Sequence, residues 1–304
     1  MAINRILVLF WMVGTLLLSS CSMKEDRGVC PCWMTVDLSK VAESRWKSPE
    51  RQSNTEYQDV TKSLESRQHI AESVVLRLRG NPDEVDYAFK MTETVNTEVG
   101  ALEYEVPRGS VGVSVIEMLD RVGHDVIAGY DGDEIRIPVG EQMDSLYGFF
   151  RMYYTRCESV LCDVELHKEF CTVSFTLGDK GYVSPYGLEV WGNVAGVSAW
   201  DLMPVQGKFR YAPIRENGVY LVRVPRQVDN SLELVMLEIP DQVGYDDERT
   251  VVDRLPLGEY IARSGYDWTA EDLADVNVAL DLEMQQVMIT VSGWDGVVVM
   301  DIVI

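Results

Sequence analysis

Only three histidines occur in the 304 residues, His69, His124 and His167, and no two of them stand at metal-ligand spacing. A zinc centre or a histidine-based catalytic triad is therefore not expected. The chain has no G-x-S-x-G elbow, P-loop, H-E-x-x-H or dinucleotide fingerprint, and "GVSAW" (196–200) lacks the closing glycine of an elbow. Positive charge is also short: 27 Lys and Arg stand against 49 Asp and Glu, a formal net charge of -22. A nucleic-acid binder needs clustered cations to neutralise phosphates, so that partner class is excluded. After the first twenty residues no apolar run is long enough to span a bilayer. The closest acidic cluster is Asp131, Asp133 and Glu134 in "YDGDEI". Asp131-Gly132 there reads as a type I′ hairpin turn rather than a calcium or glycosidase site. No catalytic residue, metal ligand or cofactor site is assigned.

What the chain does have is alternation. Runs of five to eight residues rich in Val, Ile, Leu, Tyr and Thr recur between turn residues, which predicts an all-β fold of two tandem β-sandwiches. Expected strands include "MTVDLS" (34–39), "SVVLRLRG" (73–80), "ALEYEVP" (101–107), "VGVSVIEML" (111–119) and "EIRIPV" (134–139). The texture resumes with "FCTVSFTLG" (170–178), "YGLEVWGN" (186–193), "VYLVRVP" (219–225), "SLELVMLEIP" (231–240), "VNVALDL" (276–282) and "QVMITVSGW" (286–294). Helix is scarce; "TAEDLAD", with Thr269 as N-cap, predicts a turn or two. Lys40 to Ile70 has no clear period and reads as a long surface loop. The domain boundary is expected within 155–168. This divides the chain into a signal peptide (1–20), a tether (21–33), a first domain (34–160) and a second (161–304). At the C-terminus, Asp295-Gly296 predicts a tight turn and Val297 to Ile304 a strand that must be covered. The short turn favours folding back on its own domain over donation to a neighbouring subunit.

Two short motifs repeat at one offset. Val106-Pro107-Arg108 matches Val224-Pro225-Arg226, a shift of 224 − 106 = 118, and "IPVGE" (137–141) matches "LPLGE" (255–259), a shift of 255 − 137 = 118. A shared offset predicts an internal duplication. Both motifs read as turn chemistry, the prolines ending strands and Gly140 and Gly258 serving tight turns.

At the N-terminus, Arg5 precedes an apolar run from Ile6 to Leu18, and Leu18-Ser19-Ser20 lead directly into Cys21. This has the layout of a secretory signal, and its end resembles the lipobox of bacterial lipoproteins, with Cys21 as the acylated first mature residue. Each buried methylene contributes roughly 0.8 kcal/mol, so several chains on one cysteine, palmitate among them, make a lasting anchor. The following "SMKED" resembles the signal that carries Bacteroidales-type lipoproteins across the outer membrane to the surface. Cys30, Cys32, Cys157, Cys162 and Cys171 remain as disulfide candidates in an oxidising envelope. Cys30 and Cys32 are too close to bridge each other easily, but either can reach the segment carrying Cys157 and Cys162. The odd count leaves one thiol over, a Cys-rich metal site is disfavoured by the compartment, and the pairing stays open.

The lipobox followed by "KEDRGVCPCWMTVDL", then "LHKEF" (166–170), "VPRQ" (224–227) and "LPLGEY" (255–260), resembles the FimB-type fimbrial anchor lipoproteins of type V fimbriae. The resemblance implies two transthyretin-like β-sandwich domains, lipid attachment at the outer membrane, and a non-enzymatic role in holding the base of a fimbria and limiting its growth. It also implies shaft subunits as partners through strand complementation. Arginine-directed cleavage would fall after Arg45, Arg51 or Arg67, and an anchor is expected to escape it. Two other readings remain at this stage: a fimbrial tip adhesin, and a surface glycan-binding lipoprotein using Trp191, Trp200, Trp268 or Trp294.

Overall fold

The computed structural model describes residues 31–43, 73–81, 83, 89–118, 133–178, 186–238, 250–281, 286–291 and 298–301. Cys21, Cys30, Arg45, Arg51, Arg67, His69, His124, Asp131, Trp294, the Asp295-Gly296 turn and all but the start of the 40–70 loop lie outside these residues.

The described residues are nearly all strand. In the N-terminal half the elements are β1 (Cys32–Asp37), α1 (Ser39–Glu43), β2 (Ser73–Gly80), β3 (Lys90–Asn96), β4 (Ala101–Val106), β5 (Ser110–Met118), β6 (Glu134–Arg136), β7 (Leu146–Tyr154), β8 (Ser159–Asp163) and β9 (His167–Lys168). One sheet runs β4-β1-β8, the other β3-β2-β5-β7-β9. Met34, Val36 and Cys162 of the first sheet and Leu76, Leu78, Val113 and Val115 of the second share one core. The alternation read from "MTVDLS" is literal here: Cys32, Met34 and Val36 are buried while Trp33 points outward.

The C-terminal half contains β10 (Phe170–Leu177), β11 (Gly187–Ser198), β12 (Pro204–Tyr211), β13 (Ile214–Glu216), β14 (Val219–Pro225), β15 (Glu233–Leu237), β16 (Val251–Leu255), α2 (Leu257–Arg263), β17 (Val276–Asp281), β18 (Gln286–Val291) and β19 (Val298–Asp301). Its sheets run β13-β14-β10-β17-β18-β19 and β12-β11-β15-β16. A second core, with Phe175, Val190, Phe209, Val222, Leu234 and Tyr260, lies between them.

Seven strands of each half repeat one another in order. β4-β1-β8 corresponds to β14-β10-β17: in both, the first pair is antiparallel and the second parallel. β3-β2-β5-β7 corresponds to β12-β11-β15-β16 in the same chain order. Val106 stands opposite Cys32 as Val224 stands opposite Cys171, so the Val-Pro-Arg match is a true structural equivalence. The central strands are offset by 171 − 32 = 139 rather than 118 because the first half has the longer β1 to β2 connection. The second motif match is a coincidence. "IPVGE" follows β6, whereas "LPLGE" follows β16, the counterpart of β7, and runs into α2. Gly258 is accordingly not a turn glycine; it is in the first helical turn, where a Cβ would come within 2.5 Å of the Asn230 carbonyl oxygen. Gly140 does serve a turn, with φ of 93°. "TAEDLAD" forms turns, not helix: Asp267 accepts hydrogen bonds from the Thr269 amide and hydroxyl, and Thr269 does not cap.

β6 has no counterpart in the repeat. It leaves the first half between β5 and β7 and pairs with β11, placing Ile135, Ile137 and Met143 in the second core. Gly196 permits this approach, since a Cβ there would stand 2.1 Å from the Ile135 carbonyl oxygen. In the other direction, β8 belongs to the first half's three-stranded sheet, so the expected division between 160 and 161 falls inside a strand.

Candidate functional site

Two of the motifs that carried the resemblance, "LHKEF" and "VPRQ", meet beside the connector between the halves. Glu169 of "LHKEF" forms a buried ion pair with Arg226 of "VPRQ", Nε to Oε2 at 3.0 Å. Arg226 also donates to the carbonyls of Trp268 and Ala270 at 2.6 and 2.7 Å. Burial pushes the Glu169 carboxyl above its usual range, while the Arg226 charge opposes that shift. One residue earlier, the Lys168 ammonium pairs with Asp275 at 2.5 Å and lies over the Phe170 ring. Asp275 also accepts from the Thr172 amide. These groups staple the connector to the second half. They are all satisfied by one another, and the arrangement is structural.

The feature that offers itself to a partner is the free side of β8. In parallel pairing alternate residues turn their backbone groups to one neighbour. The Trp33 amide donates to the Glu158 carbonyl at 2.9 Å and the Val164 amide to the Asp37 carbonyl at 3.1 Å, so even-numbered residues of this stretch face β1. Ser159, Leu161 and Asp163 therefore turn their N–H and C=O groups outward. Among the described residues no strand pairs with that side. The counterpart edge in the second half, that of β17, is covered by β18 and then β19. Around the open edge Leu161 is 64% and Trp33 51% exposed, with Thr35 between them, and Glu158, Asp163 and Glu165 also reach solvent. Lys40 of α1 holds Asp163 at 2.5 Å. Sequence reading missed this strand because "SVLCD" is short and lies in the stretch taken as a domain boundary; its alternation was the available signal.

Four cysteines are described, all as free thiols. Cys162 and Cys171 are buried in different cores, which keeps them apart. Burial pushes the Cys162 thiol to about 11 and Cys171 to about 12. Cys32 and Cys157, by contrast, are neighbours where β1 and β8 begin; the Cys157 thiol donates to the Ser159 carbonyl at 3.1 Å and the Cys32 thiol to the Trp33 carbonyl at 3.8 Å.

The described tryptophans considered for glycan stacking, Trp191, Trp200 and Trp268, are occupied. Trp191 has the guanidinium groups of Arg210 and Arg254 each 4.9 Å from its ring and donates to Glu189 at 2.7 Å. Trp200 packs edge-on against Phe150, and Trp268 against Tyr266, at centroid distances of 5.6 and 4.6 Å. Asp133 and Glu134, the described part of the acidic cluster, are engaged by Lys90 and Arg136 respectively. His167 lies 3.5 Å from Asp272. Among the described residues no three His, Cys, Asp or Glu side chains converge as a metal site.

No protein-family model and no curated protein sequence matches the chain. Solved structures do. The fimbrial anchor protein Mfa2 from Porphyromonas gingivalis superposes with a TM-score of 0.51 at 11% identity, over 87% of this chain and 98% of that one. A DUF1812 protein of Bacteroides thetaiotaomicron, described as a candidate polysaccharide binder, superposes with a TM-score of 0.51 at 12% identity, over 89% and 98%. The chain shares the all-β fold of these proteins across nearly its whole length. At such identity the likeness concerns fold.

Proposed function

We propose that this chain is a non-enzymatic, fimbria-associated surface protein that is lipid-anchored through Cys21 at the outer membrane and receives a strand from a fimbrial subunit along β8. The observation that carries the reading is the open β8 edge in a fold that, in its other half, fills the same position with β18. A strand added there would run antiparallel to β8, as β18 does to β17. Main-chain hydrogen bonds to Ser159, Leu161 and Asp163 would supply affinity, and alternate side chains would meet Trp33 and Leu161. The acidic residues around the edge favour a donor with basic flanks. An acceptor edge beside the lipid-bearing N-terminal strand suits a fibre's base, where a subunit takes part in polymerisation once. The two seven-strand repeats support the transthyretin-like description, and the packing of Trp191, Trp200 and Trp268 weighs against the glycan-binding alternative.

Replacing Leu161 with proline removes an outward N–H and leaves the β1 pairing intact, because the lost donor faces away from β1. The expected result in cells is a folded, membrane-associated protein that no longer retains fimbriae, which are shed into the medium. Cys21→Ala should release both protein and fimbriae from the membrane fraction. Fimbriae still held by the Leu161→Pro protein would rule out β8 as the acceptor. An unmodified Cys21 on the mature cell-associated protein would rule out the lipid anchor.

A further inference from the structure

Cys32 and Cys157 each come immediately before one end of the hydrogen bond between the Trp33 amide and the Glu158 carbonyl, 2.9 Å long, that opens the β1 and β8 pairing. The register pairs Trp33 with Ser159, so Cys32 stands opposite Glu158 and Cys157 one residue off it; strand spacing of about 4.8 Å and a rise of about 3.3 Å put their Cα atoms roughly 6 Å apart, within the roughly 4.4–6.8 Å that a disulfide bridges. Cys157 is also held from its other side. The buried Thr155 donates its hydroxyl to the Pro107 carbonyl at 2.6 Å and its amide to the Gly109 carbonyl at 2.9 Å, and Arg108 donates to the Arg156 carbonyl at 3.3 Å. The segment 155–157 is thus clamped against the turn after β4, and β4 pairs Val106 with Cys32. The backbone at both cysteines is thus fixed by pairing, and closing the bond requires only that the exposed Cys157 thiol leave the Ser159 carbonyl, to which it donates at 3.1 Å, and turn towards Cys32.

No other described cysteine competes. Cys162 aligns with Val36, four residues along β1 from Cys32 and so roughly 13 Å away at strand rise, and Cys171 is in the second core.

We infer that Cys32 and Cys157 are a built disulfide site, closed when the chain meets a disulfide-bearing oxidant. The exposed Cys157 thiolate attacks the oxidant's disulfide, forming a mixed disulfide and releasing one thiol of the oxidant. The Cys32 sulfur, deprotonated, then attacks the Cys157 sulfur, closing the bond and expelling the second oxidant thiol. Two protons and two electrons leave the cysteines and the oxidant is reduced to two thiols. The order follows from exposure: Cys157 is open to solvent and Cys32 is buried. Its thiol is pushed up to about 11 by burial and by the neighbouring Cys157.

The bond would join the first residue of β1 to the start of β8. On the lipid-anchor reading proposed above, tension arriving through residues 21–31 would cross directly into β8 and on to the second half, and would not peel β1 out of its sheet.

The full protein, reduced and then incubated with oxidised glutathione, is denatured in alkylating agent and digested without reduction. Mass spectrometry is expected to find the Cys32 and Cys157 peptides joined and two hydrogens lighter than their sum, with Cys162 and Cys171 alkylated. Cys157→Ser should abolish the fast-migrating form on a non-reducing gel while leaving the circular dichroism spectrum unchanged. Recovery of both cysteines alkylated, or of Cys157 bonded to Cys30 or to a second chain, overturns the assignment. The linked pair formed with glutathione but reduced in protein taken from the cell envelope supports the site and counts against the exported location instead.

Discussion

Trp200 occupies the space a side chain at Gly112 would need: a Cβ there would stand 2.4 Å from the indole Cζ2. The ring lies on the outer face of β5, edge-on to Phe150 and beneath the Arg79 guanidinium. Beside it the Ala199 carbonyl accepts from the Ser114 hydroxyl, and Leu202 covers Gly148. This contact binds the second half onto the first half's larger sheet. It predicts that Trp200→Ala costs about 3 kcal/mol, the low end for losing a large aromatic because the ring is only partly buried. Gly112→Val should cost at least as much by forcing the ring out. Denaturant unfolding checks both. A wild-type curve with one transition that splits into two in either variant would mark this contact as what couples the halves.

Arg226→Ala leaves the Glu169 carboxylate buried without its cation and the carbonyls of Trp268, Ala270 and Glu271 without their donor. A loss of about 3–5 kcal/mol is expected. Removing both charges together, as Glu169→Leu with Arg226→Met, should be far milder, because no unpaired charge remains. A double-mutant cycle measured by denaturation gives the coupling; additive losses would contradict the ion pair.

Glu117 is buried on β5, and desolvation raises its carboxyl to about 7 from 4.5. A folded-state value above the unfolded one contributes stability that is fully present below pH 4.5 and is lost as pH rises towards 7. The span corresponds to roughly 3 kcal/mol at most. Glu117→Gln should therefore be the more stable protein at pH 8, and should flatten the decline between pH 5 and 7. Melting temperatures across that range test it. An unchanged slope in the variant would assign the decline elsewhere.

β19 pairs with β18 from Ile289 to Gln286, as expected for a C-terminal strand that folds back on its own half. Its hold is light: Val299 is 55% exposed, and Met300 only partly reaches the core. Deleting residues 298–304 should leave a folded chain weakened by about 1–3 kcal/mol, near the burial of one apolar side chain, with β18 newly open to pairing. Light scattering should then show self-association. Complete loss of folding would mean that the strand is integral to the second core.

The strand positions were legible because alternation is a property of neighbours in the chain. "SVVLRLRG" became β2 without a residue's change, and "VNVALDL" became β17 with its valines inward. β3, β7, β8, β9, β12, β13 and β16 were passed over. In "KMTETVN" one buried residue in seven leaves almost no apolar rhythm, and in "LYGFFRMYY" packing on both faces blurs it. The Val-Pro-Arg repeat was visible and meaningful. The second match was equally visible and meaningless, since five residues cannot say which sheet they enter. The residue types alone specified an acidic, strand-rich chain with cysteines near its start and middle and without the familiar catalytic motifs. Only the tertiary structure decided that β6 crosses to the other half, that Glu169 meets Arg226 fifty-seven residues on, that Cys32 and Cys157 become neighbours, and that no described strand pairs with the far side of β8. Each of these depends on which strands become neighbours. That choice follows from burying two whole cores at once, and no local window of the sequence contains it.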